Sequence, residues 1–432
     1  MEKVTPIGVT DWRNQHQLFG IKDKDRLQHI YVIGKSGTGK STLLLNMAIS
    51  DIQSGKGLAV IDPHGDLAEM LLDYIPEDRI EDVIYFNPKD YKYPIGFNPL
   101  ANIPQEHCHL VVSGLLGTFK KVWGDSWGPR LEYILRFSLL TLLERGSATL
   151  LDIQPLLTDA QFRNEVLKDL SNYEVLLFWK NEFEKYTPAF RAEAISPILN
   201  KIGVFVSSAP LRNIVGQSNS SFSMQEVLDG RKILIANLSK GQLGEDIVSL
   251  LGSVLITAVQ LAALFRSGLP ENSRIPFYLY VDEMHSFISM SFADILAEAR
   301  KYKLSLFLTH QYIEQIQEKI RYAIFGNVGT IISFRIGADD AIHVAREFHP
   351  VFDESDLVNL PQYSMYLKLL IDGTASKPFS AQSLPLSKEV HDNKDYVVNH
   401  SRNRYSRNKD VVENEIRERY IEEVVFKGSL FE

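Results

Sequence analysis

The segment HIYVIGKSGTGKS, His29–Ser41, combines an apolar run, a glycine-rich loop and the start of a helical pattern that continues to Gln53. Its last eight residues fit G-x-x-x-x-G-K-[ST] without a mismatch. Between a strand and a helix, such a loop points its backbone amides at phosphate oxygens. We predict that Lys40 contacts the β- and γ-phosphates of a nucleotide and that Ser41 ligates Mg²⁺. The predicted phosphate loop comprises Gly34, Lys35, Ser36, Gly37, Thr38, Gly39, Lys40, Ser41 and Thr42.

From about residue 28 to 100, and again from Lys232 onward, short apolar runs alternate with helical patterns, which is typical of the α/β class with a mainly parallel sheet. A final pair of runs, Met365–Asp372 and Lys377–Ser383, predicts an edge hairpin. The predicted parallel strands are His29–Gly34, Gly57–Asp62, Asp82–Asn87, Lys232–Leu238, Phe277–Glu283, Leu304–Thr309 and Thr330–Ile336.

The chain divides into four predicted segments. Residues 1–104 and 216–386 carry the strand pattern and form the two halves of one sheet domain. Residues 105–215 have apolar residues at helical spacing and predict an inserted all-α domain. Residues 387–432 are rich in charge and predict a solvated tail, in part helical.

The composition is that of a globular protein: 45% of the 432 residues are hydrophobic, 23% are charged and the net charge is −8. This excludes a fibrous or largely disordered chain and argues against a uniformly basic surface, although a local basic channel remains compatible with nucleic acid. The single cysteine, Cys108, and the lack of a signal peptide predict a cytoplasmic protein. The uncharged stretch Ile247–Phe265 is interrupted by four polar residues, and we interpret it as a buried core helix rather than a membrane span.

A second half of the site is predicted at FYLYVDE, where a buried strand ends in Asp282 and Glu283. Asp282 would hold Mg²⁺, and Glu283 would orient and deprotonate an attacking water. The alternative is an acidic strand end in solvent. Paired with a phosphate loop, two acids at this position favour ATP hydrolysis over nucleotide binding alone.

Four further residues are candidates for the site. Gln311 follows the next strand and could sense the γ-phosphate, or simply open a loop. Arg300 could serve as an arginine finger in a neighbouring subunit, with Arg335 as the competitor; a cation at a helix end is the structural alternative for Arg300. Asp62 in DPHGD could coordinate water near the metal or only build a turn.

The order of GKSGTGKS, VIDPHGDL, LYVDEMHSF, ARKYKLSLFLTHQ and GTIISFRIGADDA resembles the HerA/FtsK superfamily of ring ATPases, and most closely the TraG/TraD-type coupling proteins of type IV secretion and conjugation. The resemblance covers about residues 17 to 385. It implies a RecA-like core, a hexamer, ATP and Mg²⁺, and DNA moved through a central pore. It also implies Lys40 and Ser41 on nucleotide and metal, Asp282 and Glu283 as acids, Gln311 as sensor and Arg300 as finger.

The resemblance has one departure. Membrane-anchored coupling proteins begin with transmembrane helices, whereas this phosphate loop begins at residue 34 with none before it. We therefore expect a cytoplasmic DNA translocase that reaches the inner membrane, a relaxase or a secretion channel through partners. Two alternatives stay open: a protein-secretion ATPase of a type IV system, and an ATP-dependent switch or scaffold in a defence or mobile-element complex.

Overall fold

A computed structural model describes residues 3–11, 16–289 and 292–425. The strands of this part of the chain are β1 (Val4–Thr10), β2 (Leu18–Lys22), β3 (Ile30–Ile33), β4 (Gly57–Asp62), β5 (Val83–Phe86), β6 (Ile233–Asn237), β7 (Phe277–Val281), β8 (Leu304–His310), β9 (Thr330–Ser333), β10 (Ser364–Lys368), β11 (Leu370–Ile371), β12 (Thr374–Ala375) and β13 (Phe379–Ser383). The α-helices are α1 (Asp23–Arg26), α2 (Lys40–Gln53), α3 (Asp66–Leu72), α4 (Cys108–Val122), α5 (Pro129–Arg145), α6 (Ile153–Thr158), α7 (Ala160–Lys168), α8 (Tyr173–Leu177), α9 (Pro188–Ser207), α10 (Ala209–Val215), α11 (Met224–Asp229), α12 (Lys240–Leu243), α13 (Glu245–Phe265), α14 (Phe292–Glu298), α15 (Glu318–Asn327), α16 (Ala338–Phe348), α17 (Glu354–Val358), α18 (Lys394–Tyr405) and α19 (Lys409–Val425).

Eleven of the described strands form one sheet in the order β2-β1-β13-β10-β9-β3-β8-β7-β4-β6-β5. The seven strands from β9 to β5 are parallel, and the remaining four pair antiparallel. The predicted α/β class with a mainly parallel sheet is therefore confirmed. Because the strands next to β3 are parallel to it, the loops that follow β3, β8 and β7 leave the sheet at one edge.

The parallel strands are short apolar runs buried on both faces. Every residue of β3, β4, β6 and β7 is buried, which is typical of strands covered by helices on each side. The helix α2 packs apolar residues such as Leu44, Met47 and Ile52 into the same core. Deeper in this layer, the fully buried Arg26 donates both of its Nη groups to the Asp51 carboxylate, at 2.6 and 2.8 Å. Burial without that partner would leave an uncompensated charge, so the pair ties α1 to α2.

The chain forms two compact units. The first comprises residues 1–86 and 224–401 and contains the eleven-stranded sheet; the second comprises residues 87–223 and 402–432 and contains helices α4 to α10 with α19. The helical unit therefore begins at 87 rather than 105 and ends at 223 rather than 215. The difference arises because Gly96 and Asn98 bond to Ser221 and Ser220 through backbone and hydroxyl groups, which places both flanks of the insertion in the helical unit.

The long apolar helix α13 belongs to the core of the first unit. By length and composition the segment Glu245–Gly268 could cross a membrane, but 72% of its most apolar window is buried inside the fold. Its hydroxyl groups are bonded: Ser249 donates to the Ser286 carbonyl at 2.7 Å and Ser253 to the Phe287 carbonyl at 2.8 Å. The interpretation of this stretch as a core helix agrees with these contacts. Taken as one span, α9 and α10 pass the same test but are bent by 95°.

The predicted edge hairpin is not at the edge of the sheet. Strands β10 and β13 do pair antiparallel, but β1 and β2 extend the sheet beyond β13. The second half of the predicted Met365–Asp372 strand separates into β11, which pairs with β12 in its own small hairpin. The N-terminal strands were not expected, and their pairing covers the hydrogen-bonding groups of β13 that an edge position would expose.

Over its described residues, 387–425, the C-terminal segment is not a solvated tail. It forms α18 and α19, and its charges have partners within the helical unit: Arg402 binds Asp90 at 2.8 Å, and Arg419 binds the buried Asp152 at 2.7 Å. The Tyr420 hydroxyl donates to the other oxygen of Asp152 at 3.0 Å. High charge here reflects these ion pairs rather than a lack of structure.

Candidate functional site

The loop between β3 and α2 closes around a lysine side chain. Lys40 Nζ donates to the Gly34 carbonyl at 2.6 Å and to the Lys35 carbonyl at 3.3 Å. The buried Thr38 hydroxyl donates to the same Lys35 carbonyl at 2.7 Å. These bonds shape the loop so that it leads directly into the amino terminus of α2, where free amides and the helix dipole favour an anion.

Gly39 is required by its conformation and by its neighbours. Its φ is +124°, outside the range that other residues adopt readily. A Cβ atom placed there would lie 2.9 Å from the Phe334 ring and 3.2 Å from the Tyr363 ring. The second glycine of the motif thus lets two aromatic rings approach the base of the loop.

The two predicted carboxylates follow β7, two strands away from β3 in the sheet. Asp282 is nearly buried, and its carboxylate accepts a short hydrogen bond from the Thr309 hydroxyl on the intervening strand β8. The same hydroxyl accepts the Glu283 backbone N–H at 3.2 Å, where Glu283 adopts a left-handed φ of +45°. Thr309 therefore fixes the turn that points Glu283 away from the strand axis.

The loop and the carboxylates meet. Lys40 Nζ lies 4.0 Å from Glu283 Oε1, although the two residues are 243 positions apart in the chain. Burial lowers the pKa of Lys40, and the charges of Glu283 and Asp282 oppose this shift. Burial raises the pKa of Glu283, as does the Asp282 charge, whereas Lys40 and His64 lower it. Glu283 is therefore a stronger proton acceptor than an exposed glutamate.

Two histidines lie beside Glu283. His285 Nδ1 is 3.5 Å from Glu283 Oε2, and the ring of His285 is 5.6 Å from the ring of His310. Burial lowers the pKa of His310 to about 3, with smaller contributions from His285 and Lys40. His310 is therefore neutral, with Nδ1 at 3.2 Å from the Tyr31 hydroxyl.

The phosphate loop and the two carboxylates line one open cleft of about 210 Å³ in the first unit. Its lining contains the loop, both carboxylates and the predicted sensor: Ser36, Gly37, Gly39, Lys40, Ser41, Thr42, His64, Asp282, Glu283, Gln311 and Tyr363. Gly34, Lys35 and Thr38 contribute through the loop contacts described above. A larger and mostly apolar cavity of about 340 Å³ lies in the helical unit and contains none of the predicted site residues.

Besides Gly34, Lys35 and Thr38, the predicted residues Asp62, Arg300 and Arg335 lie outside the cleft lining. The Asp62 carboxylate accepts the His64 and Ala68 backbone N–H groups at 2.8 and 2.9 Å, so it builds the turn before α3. Arg300 is exposed on the short helical turn Ala299–Tyr302 that precedes β8, at the opposite edge of the sheet from the loop. Arg335 is also exposed, but its carbonyl accepts the Lys35 N–H at 2.8 Å, which places it at the loop edge.

Several residues of the site were not predicted. Thr309 had a weak signal, since it is the first of three polar residues that end the apolar strand LSLFLTHQ. Gln362, which donates to the Gly37 carbonyl at 2.9 Å, and Tyr363 had none, because they arrive from the loop before β10, more than 300 residues after the motif.

The sheet and the cleft define a phosphate-loop α/β protein with a pair of acids opposite its loop lysine. A family model described as the type IV secretion-system coupling protein DNA-binding domain matches residues 19–347. The chain belongs to this family.

The chain is also similar in sequence to a known coupling protein. The chain is 20% identical to the type 4 coupling protein DotL of Legionella pneumophila subsp. pneumophila, in an alignment that covers 68% of this chain and 45% of DotL. It therefore spans less than half the length of that relative.

Solved structures share the fold. The plasmid coupling protein TrwB in complex with the ATP analogue ADPNP has a TM-score of 0.63 at 17% identity, with 90% of each chain covered. TrwB with ADP and Mg²⁺ gives 0.62 at 17% identity, covering 90% of this chain and 91% of TrwB. VirB4 of Thermoanaerobacter pseudethanolicus gives 0.58 at 14% identity, covering 89% of this chain and 97% of VirB4.

Proposed function

We propose that this protein hydrolyses ATP to translocate DNA, as a coupling ATPase of a type IV secretion or conjugation system. The observation that supports this most is the 4.0 Å approach of Lys40 Nζ to Glu283 Oε1 in one cleft. A phosphate-binding lysine and a half-buried carboxylate at that separation can contact the same terminal phosphate. Membership of a coupling-protein DNA-binding family supports DNA as the substrate.

In this proposal the phosphates bind to the loop amides and to Lys40. Ser41, whose hydroxyl is exposed in the cleft, and Asp282 are oxygen donors of the kind that Mg²⁺ prefers, so the residues present fit a magnesium site. When bound, Mg²⁺ would neutralise charge on the phosphates. Glu283, which lines the cleft, would accept the proton of the attacking water. Its Oε2 atom is buried and has no hydrogen-bond partner among the described residues. Gln311 at the cleft wall would sense the terminal phosphate.

The arginine that completes the site comes from a second copy of the chain in this proposal. Arg300 is exposed and precedes β8, whereas its own cleft lies where the parallel strands end, so it is free to reach a neighbour within a hexameric ring. Arg335 lies at the edge of its own loop and is the competitor. Lys40→Ala subunits mixed with Arg300→Ala subunits should regain part of the hydrolysis. The intact interfaces are those in which an Arg300→Ala subunit supplies the loop and a Lys40→Ala subunit supplies the arginine. If Lys40→Ala subunits regain hydrolysis when mixed with Arg335→Ala subunits but not with Arg300→Ala subunits, Arg335 is the arginine supplied by the neighbouring subunit.

We infer that the ring works on the cytoplasmic side of the inner membrane, with relaxase or secretion-channel proteins as partners. Contacts to the DNA backbone are independent of sequence and weaken with salt, so the motor need not distinguish bases. The net charge of −8 restricts such contacts to a local channel.

The test is the ATPase rate of the full chain with and without single- and double-stranded DNA at low salt. Glu283→Gln should reduce hydrolysis by roughly 10²-fold or more while ATP binding persists, since the general base is lost but the loop is intact. Glu77→Gln, an exposed glutamate in the same unit, is the matched control and should match the wild type. Equal hydrolysis by wild type and Glu283→Gln would overturn the assignment of Glu283.

The DNA measurement separates the remaining functions. Hydrolysis stimulated by DNA supports the translocase. Hydrolysis indifferent to both forms of DNA would favour protein cargo, and slow turnover with unaltered assembly of Glu283→Gln would favour a switch or scaffold.

A further inference from the structure

The cleft lining contains an aromatic side chain that comes from the β10 side of β3, whereas the two carboxylates come from the β7 side. Tyr363 lines the cleft, and its side chain is 48% exposed. Of the lining residues, only Tyr363 and His64 carry rings, and His64 lies near Glu283, whose pKa its charge lowers. An exposed phenol against the base of a phosphate loop has no role in the chemistry proposed above.

The backbone holds Tyr363 in place from both sides. Its N–H donates to the Thr38 carbonyl in the phosphate loop at 3.0 Å, and its carbonyl accepts the Ser383 N–H from β13 at 2.9 Å. Its φ of +64° is uncommon for a bulky residue. Residues held in such conformations concentrate at ligand sites, because the surrounding bonds must over-determine them. The ring is thereby fixed against Gly39, which has no side chain to displace it.

The strand order of the sheet indicates which end of a bound nucleotide would contact the Tyr363 ring. Glu283 follows β7, the loop follows β3, and Tyr363 immediately precedes β10 on the opposite side of β3. β7 and β10 are four strand spacings apart, or about 19 Å. If the terminal phosphate binds at the β7 end and the other phosphates bind to the loop, the ribose and base would extend toward β10.

We propose that Tyr363 stacks on the base of the bound nucleotide and supplies the base-binding end of the cleft. This proposal rests on the proposed function, since it takes a nucleoside triphosphate as the ligand. Every base has a flat π face, so a stacking ring binds adenine and guanine alike. Tyr363 therefore adds affinity for the nucleoside without selecting one base.

The experiment compares a ligand that has a base with one that lacks it. Binding of ADPNP and of inorganic tripolyphosphate to the full chain is measured by calorimetry. Tyr363→Ala should weaken ADPNP by roughly five- to twentyfold, the lower part of the range for base stacking because one face of the ring is open. Tripolyphosphate affinity should stay within twofold. Tyr363→Phe should restore ADPNP binding, and Tyr322→Ala, an exposed tyrosine on α15, should have no effect.

A second substitution controls for the possibility that alanine misfolds at the unusual φ of position 363. Tyr363→Asn removes the ring with a residue that tolerates the left-handed region, and it should reproduce the Tyr363→Ala result. Unchanged ADPNP affinity in both variants would overturn the proposal. An equal loss for ADPNP and tripolyphosphate would also overturn it, since the ring would then act on the loop. If the wild type binds tripolyphosphate but gains nothing from the nucleoside, only the stacking fails; if it binds neither ligand, the proposed function fails.

Discussion

Thr309 connects the two acids of the cleft, and replacing it with valine removes both of its bonds without changing its shape. The hydroxyl donates to the Asp282 carboxylate and accepts the Glu283 N–H at 3.2 Å. A hydrogen bond to a charged group contributes about 1.5–3 kcal/mol and a neutral one about 1 kcal/mol. Water from the cleft can reach Asp282 in part, so we expect Thr309→Val to lower the free energy of unfolding by about 2–3 kcal/mol. For a unit of this size the melting temperature should fall by roughly 4–12 °C.

Thr309→Val should also weaken Mg²⁺ binding, because Thr309 bonds to Asp282, the proposed magnesium ligand. A hydrogen-bond partner that orients a metal ligand typically accounts for about 10- to 100-fold in metal affinity. The Mg²⁺ concentration needed for half-maximal ADPNP binding should rise by that factor in Thr309→Val. Thr309→Ser is the matched control: it loses one buried methyl group, about 1 kcal/mol, but keeps the hydroxyl and should keep the magnesium dependence. Equal melting temperatures and equal Mg²⁺ affinities of Thr309→Val and Thr309→Ser would refute the prediction, because they would show that the hydrogen bonds of Thr309 contribute nothing.

Gly39→Ala should destabilise the protein by at least about 1 kcal/mol more than Gly37→Ala and should abolish ADPNP binding. Both glycines have positive φ, which costs an alanine about 1–2 kcal/mol. Only at Gly39 would the new methyl group also contact two aromatic rings. Equal melting and binding of the two variants would contradict this. His29 should make stability acid-sensitive, because burial lowers its pKa from 6.5 to about 4. The neutral His29 therefore contributes to the free energy of unfolding fully above pH 6.5, and this contribution is lost as the pH falls toward 4, by about 2 kcal/mol between pH 7 and 5. Over that interval the melting temperature of His29→Asn should fall by roughly 4–8 °C less than that of the wild type. Identical drops in wild type and variant would show that the unfolded chain does not take up this proton preferentially.

The parallel core of the sheet was predictable because its signal is local. Strands such as β3 and β7 are buried on both faces and appear as continuous apolar runs, which need no knowledge of their neighbours. The strands β1 and β2 lack this signal: they mix exposed and buried residues and contain Pro6, Gly8 and Gly20. Their place depends on pairing with β13, which lies more than 350 residues further along the chain.

The candidate site divides in the same way. The loop motif and the acids after β7 could be found because each occupies a few consecutive residues whose chemistry is distinctive. The contributions of Thr309 and Tyr363 depend on strand order, which places β8 between β3 and β7 and brings the residue before β10 to the loop. For Asp62 the chemistry was compatible with two interpretations, and only its bonds to His64 and Ala68 show that it builds a turn.

The contact between Arg419 and Asp152 also bears on how the protein is made. The two residues are 267 positions apart, and Asp152 is buried. At ribosomal rates of about 5–20 residues per second, roughly 13–53 seconds separate their synthesis. During that interval the helical unit carries a carboxylate whose cation has not yet left the ribosome. Folding of the helical unit is therefore completed only after α19, which carries Arg419, has been synthesised and has left the ribosome.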